Sequence, residues 1–256
     1  MSTLDRPPLR RVGHKGADLI APGNTLASFD AALAAGVDMI EFDVLPERRP
    51  GQVGESLILA HDYTDAAGRD PLTLEEGLDH LASQPFTGVE LDVDLKLAGY
   101  ELQVVEALQA RGLIERSLIS SFHRSSLARI RAVEPNVRLG WSVPRVKRDP
   151  FRSPLTVPPA LAALVALRTL MPRRAAQAIR SGVCDALMTH WRLVTPRLVR
   201  QVARAGGEIY VWTVDDPARM RRLEALGVTG VITNDPRLFS VSDAQCPGSA
   251  SPPVAT

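Results

Sequence analysis

What most constrains this chain is a repeating rhythm: a short apolar run, a turn residue, then apolar positions at spacings of three and four, closed by glycine. Residues 10–13 and 39–44 read as strands, and between them Leu26, Phe29, Leu33 and Val37 line one side of a helix capped by Asn24 or Thr25 and stopped at Gly36. Thr73-Leu74-Glu75-Glu76 is a capping box, Thr195-Pro196 and Asp216-Pro217 place proline at the first helical position, and Gly206 and Gly227 end those helices. Further strands are predicted at residues 57–60, 89–95, 117–121, 138–141, 186–189, 208–214 and 230–233. The nine runs are one too many for an eight-stranded barrel, and residues 57–60, reached through a loop rich in Pro, Gly and Arg at 46–55, read as the extra short strand. For 256 residues this alternation favours a single (β/α)8 TIM barrel over an open doubly wound sheet. No Gly-x-Gly-x-x-Gly follows the first strand.

The run Val89 to Lys96 supports the barrel independently. Glu90, Asp92, Asp94 and Lys96 alternate with Val89, Leu91, Val93 and Leu95, so an apolar face meets helices while a charged face points into the barrel. Buried carboxylates in such a row need a cation, a lysine or dense hydrogen bonding to stay ionised. Residues 144–180 break the rhythm, because they are too long for a single turn and helix. With the apolar stretch 160–167 followed by Arg168, Arg173, Arg174 and Arg180, they read as a long helical insertion, one helix or a pair packed on the barrel, with a lid or membrane-touching element as the alternative. The barrel domain is drawn at residues 1–239, and the Ser-, Pro- and Ala-rich residues 240–256 read as a disordered tail.

Lys plus Arg total 30 against 29 for Asp plus Glu, so no global field favours nucleic acid, and partners must be sought at local sites. Cys184 and Cys246 form neither a disulfide framework nor a metal-ligand spacing. The first eleven residues lack an apolar signal core, and the longest apolar run is too short to cross a bilayer. A cytoplasmic protein is expected, with transient membrane-surface contact allowed.

Chemistry concentrates at strand ends. His14-Lys15-Gly16, Glu41-Phe42-Asp43 and His61-Asp62 each close an apolar run, where a barrel presents its site. Glu41 and Asp43, two residues apart on a strand, project to one face about 7 Å apart, and with Asp94 they offer an all-oxygen set for Mg2+ or Ca2+. A carboxylate pair neutralised by Lys15 and Lys96 is the competing structural reading. His14 and His61 titrate near neutrality, so one can take a proton from an attacking group while the other donates to a departing alkoxide. Lys15 and Lys96 would hold the anionic oxygens of a phosphate, and Trp212 is either core or an aromatic wall for the alcohol. His80 and His123 receive no role; His190, at another strand end beside Trp191, is a weaker candidate for substrate contact.

In this order the motifs resemble the glycerophosphodiester phosphodiesterase family, whose members carry His-Arg-Gly, Pro-Glu-Asn-Thr, Glu-x-Asp, His-Asp, Glu-Ile-Lys and Trp-Thr. Here the corresponding stretches are His14-Lys15-Gly16, Pro22-Gly23-Asn24-Thr25, Glu41-Phe42-Asp43, His61-Asp62, Asp94-Leu95-Lys96 and Trp212-Thr213, with residues 227–236 similar to the closing strand. The resemblance implies a TIM-barrel enzyme that uses Ca2+ or Mg2+ to hydrolyse a glycerophosphodiester to glycerol phosphate and an alcohol. It also implies acid-base roles for His14 and His61 and metal ligation by Glu41, Asp43 and Asp94. Three departures stand out: Lys15 for Arg, Gly23 for Glu and Asp94 for Glu. They leave open a lysophospholipase D-like or cyclising phosphodiesterase and, in another class, a noncatalytic phosphoester-binding barrel. Only about thirty residues separate His61 from Asp94, too few for the capping insertion some members carry there, so residues 144–180 are the candidate cover over the opening.

Overall fold

The computed structural model describes residues 7–49, 52–144 and 157–244. Its strands are β1 (Arg10–Gly13), β2 (Met39–Arg49), β3 (Gln52–Leu59), β4 (Glu90–Leu95), β5 (Ser117–Ser121), β6 (Arg138–Val143), β7 (Ala186–His190), β8 (Glu208–Trp212) and β9 (Gly230–Thr233). The helices are α1 (Leu26–Ala34), α2 (Tyr63–Ala67), α3 (Leu74–Leu81), α4 (Glu101–Gln109), α5 (Arg124–Val133), α6 (Val157–Arg180), α7 (Pro196–Arg204), α8 (Pro217–Leu226) and α9 (Leu238–Ala244). Parallel pairing runs β1, β2, β4 and onward to β9, which pairs back with β1, so eight strands close a barrel and β3 is the extra strand. This is the (β/α)8 TIM barrel that the alternation predicts.

The extra strand is longer than its apolar core suggested. Much of the predicted 46–55 loop is strand, because β2 continues to Arg49 and β3 starts at Gln52, the two forming an antiparallel hairpin whose register shifts between Pro46 and Arg48. Backbone pairing with the projecting end of β2 outweighs local composition there. The insertion resolves into one helix, α6, which packs on α7 and returns the chain to β7, while residues 145–156 lie outside the described residues. The boundary drawn at 239 falls inside α9, and residues 245–256 are likewise outside the described residues.

Local signals explain the helix starts. Thr25 and Thr73 make reciprocal capping boxes with Ser28 and Glu76, and Thr195 and Asp216 accept from backbone N–H groups with proline next in line. Each such cap contributes about 1 kcal/mol.

Alternation within strands then sorts three layers inside the barrel. At the N-terminal end Glu90 accepts from both Arg10 and Arg138 at 2.5 Å. Above it lies an apolar plug of Val12, Met39, Leu118, Met188, Tyr210 and Ile232. The C-terminal end is acidic. Outward residues such as Phe42, Leu91, Val93 and Leu139 join the core beneath the surrounding helices.

Candidate active site

Parallel register assembles the acidic layer. Glu41 lies opposite Asp92 and Asp43 opposite Asp94, so four inward carboxylates form a lattice across β2 and β4. Oxygens of Glu41, Asp43 and Asp94 lie within 4.8 Å of one another, and all three residues are buried. Lys96, just past β4, contacts Asp43 and sits 2.5 Å from Asp94 Oδ2. Asp94 Oδ1 has no hydrogen-bond partner, and Asp43 Oδ1 has only the ammonium as an ionic neighbour. An oxygen-only set with unfilled lone pairs fits a hard divalent cation.

The charges are strongly uneven. Burial, reinforced by Asp43, raises the Glu41 carboxyl well above the usual range. Burial would also raise Asp43, but the Lys96 ammonium, with His61 and His14, pulls it below the usual range. Asp94 is raised by burial against the pull of Lys96, and Asp92, buried beside Asp94, is pushed up to about 8. Burial opposes the Lys96 charge, yet Asp43 and Asp94 hold the ammonium well above its ordinary value.

His14 follows β1. Its Nδ1 lies 2.5 Å from Asn234 Oδ1, and its Nε2 lies 3.8 Å from Glu41 Oε2. Asn234 is itself oriented, because its amide donates to Asp215 Oδ2 at 2.7 Å, which leaves Oδ1 for the histidine. An acceptor at Nδ1 places the neutral ring's proton there and leaves the Nε2 lone pair toward the acids. Burial lowers the pKa of His14, which keeps that lone pair available at neutral pH. His61 differs: at the end of the β3 connection its side chain is 51% exposed, and Nδ1 is 3.3 Å from Asp62.

His14, Glu41, His61, Asp94, Lys96 and Trp212 line one cleft of about 450 Å3, shared with Leu97, Phe122 and Pro144. Trp212 packs edge-on to Phe122 in this lining. Asp43 lies beneath this surface, fully buried. Lys15 does not line the cleft, and its ammonium stands 3.1 Å from Asp18 Oδ2. His190 also lies outside the lining; its ring packs edge-on to Trp212 and its Nδ1 accepts from Arg192 N.

The loop after β1 explains the Gly23 departure. Asp18 Oδ1 accepts from Gly23 N at 2.9 Å, and a Cβ at position 23 would stand 2.5 Å from that oxygen. Asp18 therefore fills the room a side chain at 23 would take, and it neutralises Lys15 there. Lys15 and Asn24 adopt left-handed backbone, φ 50° and 58°. Both are pinned: Lys15 N donates to Glu41 Oε2 at 2.8 Å, and Asn24 exchanges two 3.0 Å bonds with Asp43.

Asn24, Asn234 and Asp215, which bond to Asp43, to His14 and to Asn234, were not among the site residues predicted from the sequence. Asn24 read as a helix cap and Asn234 as part of a closing strand, although a polar residue at a barrel strand's C-terminal end was the available signal.

A parallel barrel with an acidic cluster and two histidines at the C-terminal mouth defines a TIM-barrel enzyme site. The glycerophosphoryl diester phosphodiesterase family model matches residues 14–45 and 91–238, and the chain belongs to that family of phosphodiesterases. A glycerophosphodiester phosphodiesterase of Caldanaerobacter subterraneus is 24% identical over 257 residues, covering 88% of this chain and 93% of the relative. A putative glycerophosphoryl diester phosphodiesterase of Silicibacter pomeroyi superposes with a TM-score of 0.70 at 21% identity, covering 93% and 95% of the two chains. An Oleispira antarctica phosphodiesterase, in complex with its product sn-glycerol-3-phosphate, has a TM-score of 0.68 at 20% identity, covering 96% and 100%.

Proposed function

We propose that this chain hydrolyses glycerophosphodiesters to glycerol phosphate and an alcohol. The observation that carries the reading is the convergence of His14, His61, Glu41 and Asp94 on one cleft, with Asp43 directly beneath and completing the acidic triad. Glu41, Asp43 and Asp94 would hold Mg2+ or Ca2+, which when bound supplies positive charge against a nonbridging phosphate oxygen. His14 Nε2 takes the proton of the attacking oxygen, its ring held by Asn234 through Nδ1. As the bond from phosphorus to the leaving oxygen breaks, His61 at the exposed mouth gives that oxygen a proton and the alcohol leaves to solvent. Solvent exchange then restores both rings. Lys96 faces the cleft as the phosphate contact, whereas Lys15 reaches a phosphate only by leaving Asp18. Trp212 bounds the alcohol side.

The apolar lining of Leu97, Phe122, Pro144 and Trp212 favours a second substrate class, lysophospholipids, with an acyl-bearing group on that wall. A cytoplasmic location is proposed, supported by the cysteine usage; among the described residues no helix is long and apolar enough to cross a membrane.

The test is turnover of glycerophosphocholine and lysophosphatidylcholine with Mg2+, Ca2+ or chelator, followed by phosphorus NMR. His14→Ala and His61→Ala are each expected to lower kcat by about 10²–10⁴-fold with the fold intact. Native-like turnover in either variant sinks the proton-transfer roles, and a cyclic phosphate as the final product replaces hydrolysis by attack of an internal hydroxyl.

A further inference from the structure

Helix α6 is apolar where a barrel helix should be polar. Its inward row, Leu164, Leu167 and Met171, packs on the core cluster containing Leu193 and Val194. The opposite face should meet water, as on α7, where Arg197, Arg200 and Arg204 are exposed. On the first half of α6 the water-facing residues are instead Pro158, Leu161, Ala162 and Val165, with Leu161 49% and Val165 63% exposed. Leu170 adds a further 47% exposed side chain one turn on.

The helix also has a definite height. Arg168 Nε donates to Arg192 O at 2.8 Å, and Arg192 lies just after β7 leaves the barrel mouth. The helix descends from the C-terminal face, so residues 157–167, spanning about 16 Å, rise on the side where the cleft opens. Beside them the rim is cationic and aromatic. Arg192 and Arg219 both lie over the Trp191 ring, at 4.6 and 4.0 Å, and Arg124 lies over Trp141 at 5.0 Å. On α6 itself Arg168 lies at this rim, the other three arginines of the helix following on its descending half, and the helix carries no acid. Asp62, Asp215 and Asp216 share this rim, but Asp62 caps α2 beside His61, and the other two are engaged by Asn234 and by the first turn of α8.

We propose that the projecting half of α6 docks the enzyme, cleft first, onto an anionic lipid surface, with Leu161 and Val165 entering the interface and the rim arginines meeting the headgroups. The charge decides between occupants. A second copy applied through the same face would set this arginine rim against itself, whereas anionic lipid complements it. The docking is independent of chemistry; that the surface also delivers the substrate rests on the lysophospholipid reading above.

The test is flotation of the full chain with phosphatidylcholine vesicles and with phosphatidylcholine–phosphatidylglycerol vesicles, beside sedimentation velocity without lipid. The chain is expected to float with the anionic vesicles, to stay behind with phosphatidylcholine alone and to be released by high salt. Leu161→Gln with Val165→Gln should weaken partitioning by at least about tenfold while glycerophosphocholine turnover is unchanged. Arg168→Gln should cost about fivefold at low salt. His61→Ala should float like the unaltered chain, which separates this result from failure of the hydrolytic reading. Absence of binding to anionic vesicles overturns the proposal, as does unaltered binding by the Gln pair. A dimer that the Gln pair dissociates, with no flotation, overturns it in favour of a second copy.

Discussion

Replacing Asp92 with asparagine isolates the electrostatic cost of the barrel's acidic wall. Asp92 is buried opposite Glu41 and below Asp94, and burial followed by the Asp94 charge pushes its carboxyl from 3.8 up to about 8. Because the folded pKa is raised, the folded chain keeps a proton that the unfolded chain releases. The associated stability is fully present below 3.8 and is lost as pH rises toward about 8. One proton gives a slope of about 1.4 kcal/mol per pH unit, so the limit between about pH 5 and pH 8 is about 4 kcal/mol. Water entry and relaxation reduce that limit, and a loss of about 2–4 kcal/mol is expected. The substituted amide would keep the shape of the protonated acid and carry no titration. Urea unfolding of the metal-free chain in chelator should find the stability gap widening by about 2–4 kcal/mol in favour of Asp92→Asn between about pH 5 and pH 8. Asp92 also helps to raise Glu41, so removing its charge relieves that rise as well and adds to the gain near pH 8. Parallel stability curves across that range would refute the buried-proton argument.

Other expectations follow from the same geometry. Asn234→Ala removes the acceptor from His14 Nδ1 and should lower kcat about 10–100-fold with little change in KM. Since that hydrogen bond raises the His14 pKa, its loss should also move the basic-group limb of the kcat/KM profile to lower pH; an unmoved limb would contradict the positioning role. Because burial and Asp43 hold Glu41 well above its usual value, cation binding should expel a proton and tighten as pH rises. Calorimetry in buffers of different ionisation enthalpy measures this, and Glu41→Gln should reduce the release, leaving what Asp94 and Asp92 contribute. Gly23→Ala should destabilise the fold by about 1–2 kcal/mol by displacing Asp18, and Asp18→Ala in the same chain should recover most of it. Additive effects of the two changes in a double-mutant cycle would count against that contact.

Much was legible in the linear chain because its signals are local. The caps at Thr25, Thr73, Thr195 and Asp216 act within one helical turn, and the alternation from Val89 to Lys96 depends only on the pleat. Those signals give the strand-helix count, and hence the barrel and its chemically active rim. The β2–β3 hairpin was underestimated because Pro, Gly and Arg argue against a strand locally, while pairing between the two arms depends on backbone groups that composition does not encode.

What the sequence alone determined was which chemical groups end up at strand ends, since alternation with period two sends Glu41, Asp43, Asp92 and Asp94 to one face of their strands. What only the tertiary structure decided was their partners and their charge. Ring closure of β9 against β1 brings Asn234 to His14 across 220 residues, and the Lys96 ammonium separates the charge of Asp43 from that of Glu41 although both are buried on one strand. The physical reason is that desolvation and Coulomb interaction depend on distance and enclosure in space, and neither quantity exists along an open chain.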